Sequence, residues 1–142
     1  MLTAFALLDQ QVSVLDPSVS VRDKFLRITP RADEFACRTV LAKFLFRAEA
    51  ALQTVSTLSG GQLLWAGLAL VLGGATPPTL LILDEPTNHL DIDSIEAVET
   101  GLRAYDGALL VVSHDETFLD AIGITRRLEL PAGRSTLHRT RI

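Results

Sequence analysis

Residues 79–83, Thr-Leu-Leu-Ile-Leu, form an unbroken apolar run that ends on two carboxylates, Asp84 and Glu85. A strand without polar alternation is the kind covered on both faces in a parallel sheet. Residues 108–112 are a second run of the same type, and Ile92, Ile95, Val98 and Leu102 between the two mark a helix ending near Tyr105. Asp106 and Gly107 supply the turn into the second strand. Phe118, Leu119 and Ile122 then predict a short helix. Strand, helix, strand, helix in that order predicts an α/β core.

The earlier half of the chain reads differently. Phe5, Ala6, Leu7 and Leu8 predict a short strand that ends at Asp9, Gln10 and Gln11. Asp16, Pro17 and Ser18 predict a helix start, since proline suits the first turn and the flanking side chains can cap it. That helix is expected to run to about Ile28, before Pro30. A second helix over residues 33–46 places Cys37, Val40, Leu41, Phe44 and Leu45 on one apolar face. Ser59, Gly60 and Gly61 open a third, running to about Leu72. The helices are therefore an insertion, about 12–75, in a core that resumes at about 76–142. At the far end, residues 126–130 and 135–139 alternate around Pro131, Ala132 and Gly133, predicting a terminal hairpin.

Length and composition bound the rest. The chain has 142 residues, one domain's worth, and 48% hydrophobic against 21% charged residues, which is globular composition. Residues 50–83 carry no charge, but Gly60, Gly61, Gly73, Gly74, Pro77 and Pro78 interrupt them, and the apolar stretch 63–72 is far short of the ~20 residues of a membrane span. Net charge is −4, which argues against a general nucleic-acid clamp. The exception is the end of the chain, where Arg126, Arg127, Arg134, Arg139 and Arg141 face one acid, Glu129. That segment reads either as a solvated basic edge or as a ribosome- or nucleic-acid-binding strip. A single cysteine, Cys37, can make neither an internal disulfide nor a multi-thiolate metal site. With no basic, apolar leader after Met1, the expected location is the reducing cytoplasm.

Three stretches carry chemistry. A serine and two glycines at a helix N-terminus, Ser59, Gly60 and Gly61, offer backbone N–H groups and the positive helix end to an anion such as phosphate. Asp84 and Glu85 follow a buried strand, at the sheet edge where open α/β folds bind ligands. One carboxylate there can hold Mg²⁺ through water, and the next, pointing elsewhere, can orient or deprotonate a water. His114 also follows a buried strand and can sit on the same edge, in reach of a phosphate oxygen.

In this order the stretches resemble ABC ATPases. Leu58, Ser59, Gly60, Gly61 and Gln62 match the family signature, residues 80–85 resemble the Walker B strand, and Asn88, His89, Leu90 and Asp91 resemble the D-loop. Val112, Ser113, His114 and Asp115 resemble the switch-histidine segment. The Asn-His-Leu-Asp form directly after Asp-Glu-Pro-Thr is similar to the ABC-F subfamily, soluble paired ATPase domains without a membrane domain. The likeness extends from about Ala6 to Leu130. It implies ATP and Mg²⁺ as cofactors, with many members acting on the ribosome, in translation or antibiotic resistance. It further implies that Glu85 is the catalytic base and that His114 contacts the γ-phosphate. Asp84 would hold Mg²⁺ through water, and Gln10, with Gln11 as the alternative, would sense Mg²⁺ and the attacking water. Ser59, Gly60, Gly61 and Gln62 would bind ATP held by a second ABC ATPase domain, and Asp91 would work across the dimer interface.

The sequence also departs from the family. The phosphate-binding loop, Gly, four residues, Gly-Lys-Ser/Thr, is absent: the two lysines, Lys24 and Lys43, do not follow glycine. In the family that loop precedes the glutamine that Gln10 resembles. The expected architecture is therefore a P-loop NTPase-type ABC ATPase domain truncated at its N-terminus, with a helical signature subdomain, a parallel-sheet core and a terminal β-hairpin. Phosphoryl transfer depends on positioning and electrostatics, so little or no ATPase activity is expected of the chain alone. The alternative expectation is a catalytically inactive half-domain or gene remnant that only interacts with a partner bearing the loop. Without the first strands, the strands near Thr79 and Ala108 are expected to have unpaired edges and to leave apolar surface uncovered. After Gln62, Leu63 and Trp65 stand where the family usually has basic residues, and Trp65 reads as either additional core or an exposed contact.

Overall fold

A computed structural model describes residues 5–129 and the backbone of 136–140. The chain forms two compact units: residues 12–77, and a sheet unit of residues 1–11 together with 78–142.

The sheet unit holds five strands, β1 (Phe5–Leu8), β2 (Leu80–Asp84), β3 (Ala108–Val112), β4 (Arg126–Glu129) and β5 (Thr136–Thr140), in the order β1-β2-β3-β5-β4. The first three run parallel, with Leu8 beside Leu83 and Leu83 beside Val111. Strand β5 is antiparallel to both β3 and β4. The hairpin pairing is as expected, whereas Pro131, Ala132 and Gly133 lie outside the described residues. The predicted unpaired edges of β2 and β3 are not found. Both strands are paired on both sides, β2 by β1 and β3, and β3 by β2 and β5.

Burial corrects a second expectation. Both β2 and β3 alternate between half-buried and buried residues instead of being covered on both faces. Leu8, Leu81, Leu83, Leu109 and Val111 share one face by register and are buried. They form this unit's core with Val98 and Leu102 of α4 (Ile92–Arg103) and Phe118 and Leu119 of α5 (Glu116–Ala121). Ile92, predicted on the apolar side of α4, is exposed, because it is the first helical residue after the Asp91 cap. On the other sheet face Phe5, Leu7 and Leu128 are more than half exposed.

The second unit contains α1 (Val21–Ile28), α2 (Glu34–Lys43), two short 3₁₀ turns (Ala48–Leu52 and Val55–Thr57) and α3 (Gly60–Leu72). Helix α1 begins later than Asp16 because the Asp16 carboxylate accepts from the Ser18 N–H and hydroxyl, closing a turn of its own. Ser20 caps α1 by accepting from the Asp23 N–H at 3.1 Å. Helix α2, predicted over residues 33–46, is shorter: Asp33 caps it from outside and it stops at Lys43. Leu45 takes φ +68, and the Phe46 N–H reaches back to the Leu41 carbonyl at 2.9 Å, so Leu45 leaves the apolar face and is exposed. Trp65 is buried, and its ring meets Phe44 edge-on with centroids 5.9 Å apart. It is core, the first of the two readings. Gly73 closes α3 where a methyl group would strike Val40 Cγ1 and the Ala69 carbonyl, so close packing requires glycine there.

Candidate nucleotide site

The carboxylates at the end of β2 are placed by backbone geometry. Asp84 is the last strand residue and lies on the sheet face of Ile82 and Val112. At Glu85 the chain turns sharply: φ is +48, the Glu85 N–H donates to the Val112 carbonyl at 2.7 Å, and its own carbonyl accepts from the Asn88 N–H at 3.2 Å. An L-residue held in the left-handed region is strained, and such strain concentrates at functional sites. The result aims Glu85 away from the strand and toward the loop after β3.

That loop carries His114. Its Nε2 lies 3.3 Å from Glu85 Oε1, with the Glu85 side chain 13% exposed and His114 59% exposed. Ser113 beneath it is fully buried, and its hydroxyl accepts from the Asp115 N–H at 3.1 Å. Asp115 then caps α5, accepting from the Phe118 N–H at 3.0 Å. Ser113 and Asp115, which the sequence reading placed in the switch-histidine segment without a role of their own, thus hold the histidine loop. A serine two residues before a capping aspartate was the available signal. Arg127 adds a third support: it pairs with Glu116 and Asp120 of α5 at 2.6 and 2.7 Å, so this member of the basic terminal segment is not merely a solvated charge. Arg134 and Arg141, and the side chain of Arg139, lie outside the description.

Gln10 and Gln11 occupy an exposed turn just after β1, at the same end of the sheet as Asp84, since Leu8 pairs with Leu83. Past Glu85, successive turns lead through His89, at φ +63, to Asp91. The Asp91 carboxylate caps α4 by accepting from the Ser94 N–H at 2.8 Å, and hydrogen bonds from the Ser94 side chain and then its N–H hold the carboxyl below the usual carboxylate pKa. Asp91 therefore serves its own helix in this chain. Among the described residues no three acidic, histidine or cysteine side chains gather closely enough to cage a metal. Asp84 alone would leave a Mg²⁺ ion to complete its shell with water and phosphate oxygens, a share Mg²⁺ accepts because it commonly takes only one or two carboxylates.

In the helical unit, Ser59 and Gln62 form a reciprocal capping box. The Ser59 hydroxyl accepts from the Gln62 N–H at 3.2 Å, and the Gln62 amide oxygen accepts from the Ser59 N–H at 2.9 Å. Ser59, Gly60 and Gln62 are exposed and Gly61 is buried. The box uses the Ser59 and Gln62 N–H groups and leaves Gly60 exposed at the helix N-terminus. No helix among the described residues is long and apolar enough to cross a membrane.

No protein-family model matches the chain. It is 45% identical over 122 residues to YdiF of Bacillus subtilis, a protein named for ATP binding, covering 86% of this chain and 18% of the relative. It is 38% identical over 125 residues to ABC transporter F family member 5 of Arabidopsis thaliana, covering 87% of this chain and 17% of the relative. The chain thus spans less than a fifth of the length of these relatives. A solved structure of the ATP-binding cassette MJ0796, dimeric and bound to ADP and Pi, aligns with a TM-score of 0.62 at 21% identity, over 82% of this chain and 55% of its own. That likeness shows the fold. With the sequence kinship to ATP-binding relatives, it supports one conclusion: the chain belongs to the ABC ATPase family, in its ABC-F subfamily.

Proposed function

We propose that the chain contributes parts of composite ATP sites formed with a second ABC ATPase domain. The single observation that carries this reading is the Glu85–His114 approach of 3.3 Å at the end of two parallel strands, with Asp84 adjoining. In this reading Glu85 deprotonates or orients the attacking water, His114 contacts the γ-phosphate, Asp84 holds Mg²⁺ through water and Gln10 senses that ion. The exposed N-terminus of α3, with Ser59, Gly60, Gly61 and Gln62, is offered to the γ-phosphate of ATP on the partner. Asp91 works across the interface. Bound ATP and Mg²⁺ would supply the reacting phosphoryl group and its charge neutralisation. Action at the ribosome and a cytoplasmic location belong to the reading only through ABC-F kinship.

The test separates the two halves of the site. The chain alone with Mg²⁺ and saturating ATP is expected to release no phosphate above background. An ABC ATPase domain with an intact phosphate-binding loop but a disabled signature serine is then mixed with it. Phosphate release restored by this chain, and abolished by Ser59→Arg, is the expected outcome. Restoration that survives Ser59→Arg, or no restoration, overturns the signature role. Turnover by the chain alone that Glu85→Gln abolishes would show that other residues replace the loop.

A further inference from the structure

Helix α5 is too short to hold its place unaided: it has six residues, and isolated helices below ~12–15 residues are marginal in water. Phe118 and Leu119 anchor its inner side in the core. Its outer side carries Glu116 and Asp120, four residues apart, a spacing at which like charges destabilise a helix. Arg127 of β4 meets both acids. Its Nη1 lies 2.6 Å from Glu116 Oε2 and its Nη2 lies 2.7 Å from Asp120 Oδ1. The guanidinium thus removes the repulsion between the two carboxylates and spans the helix from its first residue to its fifth. We propose that Arg127 is a positioning residue for His114: it fixes the outer side of α5 to the sheet, and so fixes the loop that presents His114 to Glu85.

The path from the arginine to the histidine is short. Ser113, His114 and Asp115 alone separate the end of β3 at Val112 from the start of α5 at Glu116. Ser113 is buried, and its hydroxyl accepts from the Asp115 N–H. The Asp115 carboxylate accepts from the Phe118 N–H, and its carbonyl accepts from the Leu119 N–H at 3.0 Å. With Ser113 tied to the strand side and Asp115 to the helix, a shift of the first turn of α5 falls on His114. That ring is 59% exposed, so little packing holds it at 3.3 Å from Glu85. Magnitude sets the kind of role. Both ion pairs of Arg127 are exposed, so they add little to global stability, but they shift a local equilibrium by about twofold to tenfold. A reacting group misplaced by about 1 Å can lose ~100-fold in rate, so a local shift of this size is felt in chemistry before it is felt in folding.

The consequence for turnover rests on the proposed nucleotide reading, whereas the clamp itself does not, and the experiment separates them. In the nucleotide-free chain, nitrogen-15 NMR of the His114 imidazole, assigned with His114→Gln, reads the contact with Glu85 as the shift that Glu85→Gln causes. Arg127→Ala is expected to shrink that shift by about half or more, with the urea midpoint nearly unchanged. Arg127→Lys, which keeps the charge but cannot fork across two carboxylates, is expected to restore part of it. Once Glu116→Gln and Asp120→Asn are in place, Arg127→Ala is expected to have no further effect on His114. Arg126→Ala, on the opposite side of the strand, leaves His114 unchanged. A full shift in Arg127→Ala, or an equal loss with both acids already replaced, overturns the inference. In the mixture with the loop-bearing partner domain, Arg127→Ala is expected to lower kcat about twofold to tenfold with KM unchanged; an unchanged kcat overturns the inference as well. Absence of turnover in every mixture counts against the nucleotide reading, and the NMR response then decides the clamp.

Discussion

Glu85 combines a proposed catalytic role with an unfavourable backbone, and the two can be separated by substitution. Its φ of +48 lies where an L-residue is disfavoured by roughly 1–2 kcal/mol, because Cβ crowds the following carbonyl oxygen. Two hydrogen bonds, to the Val112 carbonyl and from the Asn88 N–H, hold it there. Replacing Glu85 with alanine and, separately, with glycine isolates the backbone contribution. Both variants lose the carboxylate and its contact with the exposed His114, a contact worth ~0–1 kcal/mol in either case. Alanine keeps Cβ and the strain, whereas glycine removes both. Glycine also loosens the unfolded chain, by ~0.4–1 kcal/mol. The variant Glu85→Gly is therefore expected to be more stable than Glu85→Ala, by up to about 1.6 kcal/mol and near 0.8 kcal/mol at the centre of the two ranges, a few degrees in Tm for a domain of this size. Urea unfolding followed by circular dichroism, with thermal melts alongside, measures the difference. If alanine equals or exceeds glycine, the backbone is not strained there and the placement of the carboxylate is a local preference. If glycine wins while the nucleotide role is lost, stability has been given up for function at this residue.

Gly73→Ala is expected to destabilise the helical unit by about 1–3 kcal/mol, since its methyl meets Val40 and the Ala69 carbonyl; the urea midpoint checks it. Trp65→Ala is expected to cost about 3–5 kcal/mol, and the lone tryptophan of the intact chain should emit at short wavelength, as a buried indole does. Hydrogen bonds from Arg22 and Arg38 hold the Glu34 carboxyl at about 2, below its ordinary 4.5. Because the folded value is depressed, the stabilisation is present above about 4.5 and is lost as pH falls toward about 2. The difference in urea midpoint between the natural chain and Glu34→Gln should accordingly be seen at pH 7 and shrink toward zero near pH 2. Arg127→Ala should speed hydrogen exchange at the Phe118 and Leu119 amides, because the arginine ties α5 to β4 through Glu116 and Asp120, with less than ~1 kcal/mol of global effect.

Local chemistry was legible in part. The capping box of Ser59 and Gln62 and the caps at Asp33 and Asp91 connect residues three apart, and a reader of the chain can find them. The start of α1 was misplaced because Asp16 and Pro17 serve a turn as readily as a helix, and the choice fell to the Asp16–Ser18 hydrogen bonds and the later Ser20 cap. Leu45 was assigned to a buried face that the helix does not reach, since its positive φ depends on the Phe46 return to Leu41.

By itself the sequence determined that two apolar strands end in carboxylates and a histidine, that a Ser-Gly-Gly opens a helix, and that the whole resembles one ATPase family. These follow from residue type and spacing, which act over a turn or a strand. Only the tertiary structure decided that Glu85 meets His114, because that contact depends on β2 and β3 being parallel neighbours in register. It alone placed Trp65 inside against Phe44, paired both edges of β2 and β3, and turned the two apolar strands into a sheet with one covered face. Composition can state that a strand is apolar on both sides, but which side finds a helix to bury it depends on chain that arrives from far along the sequence.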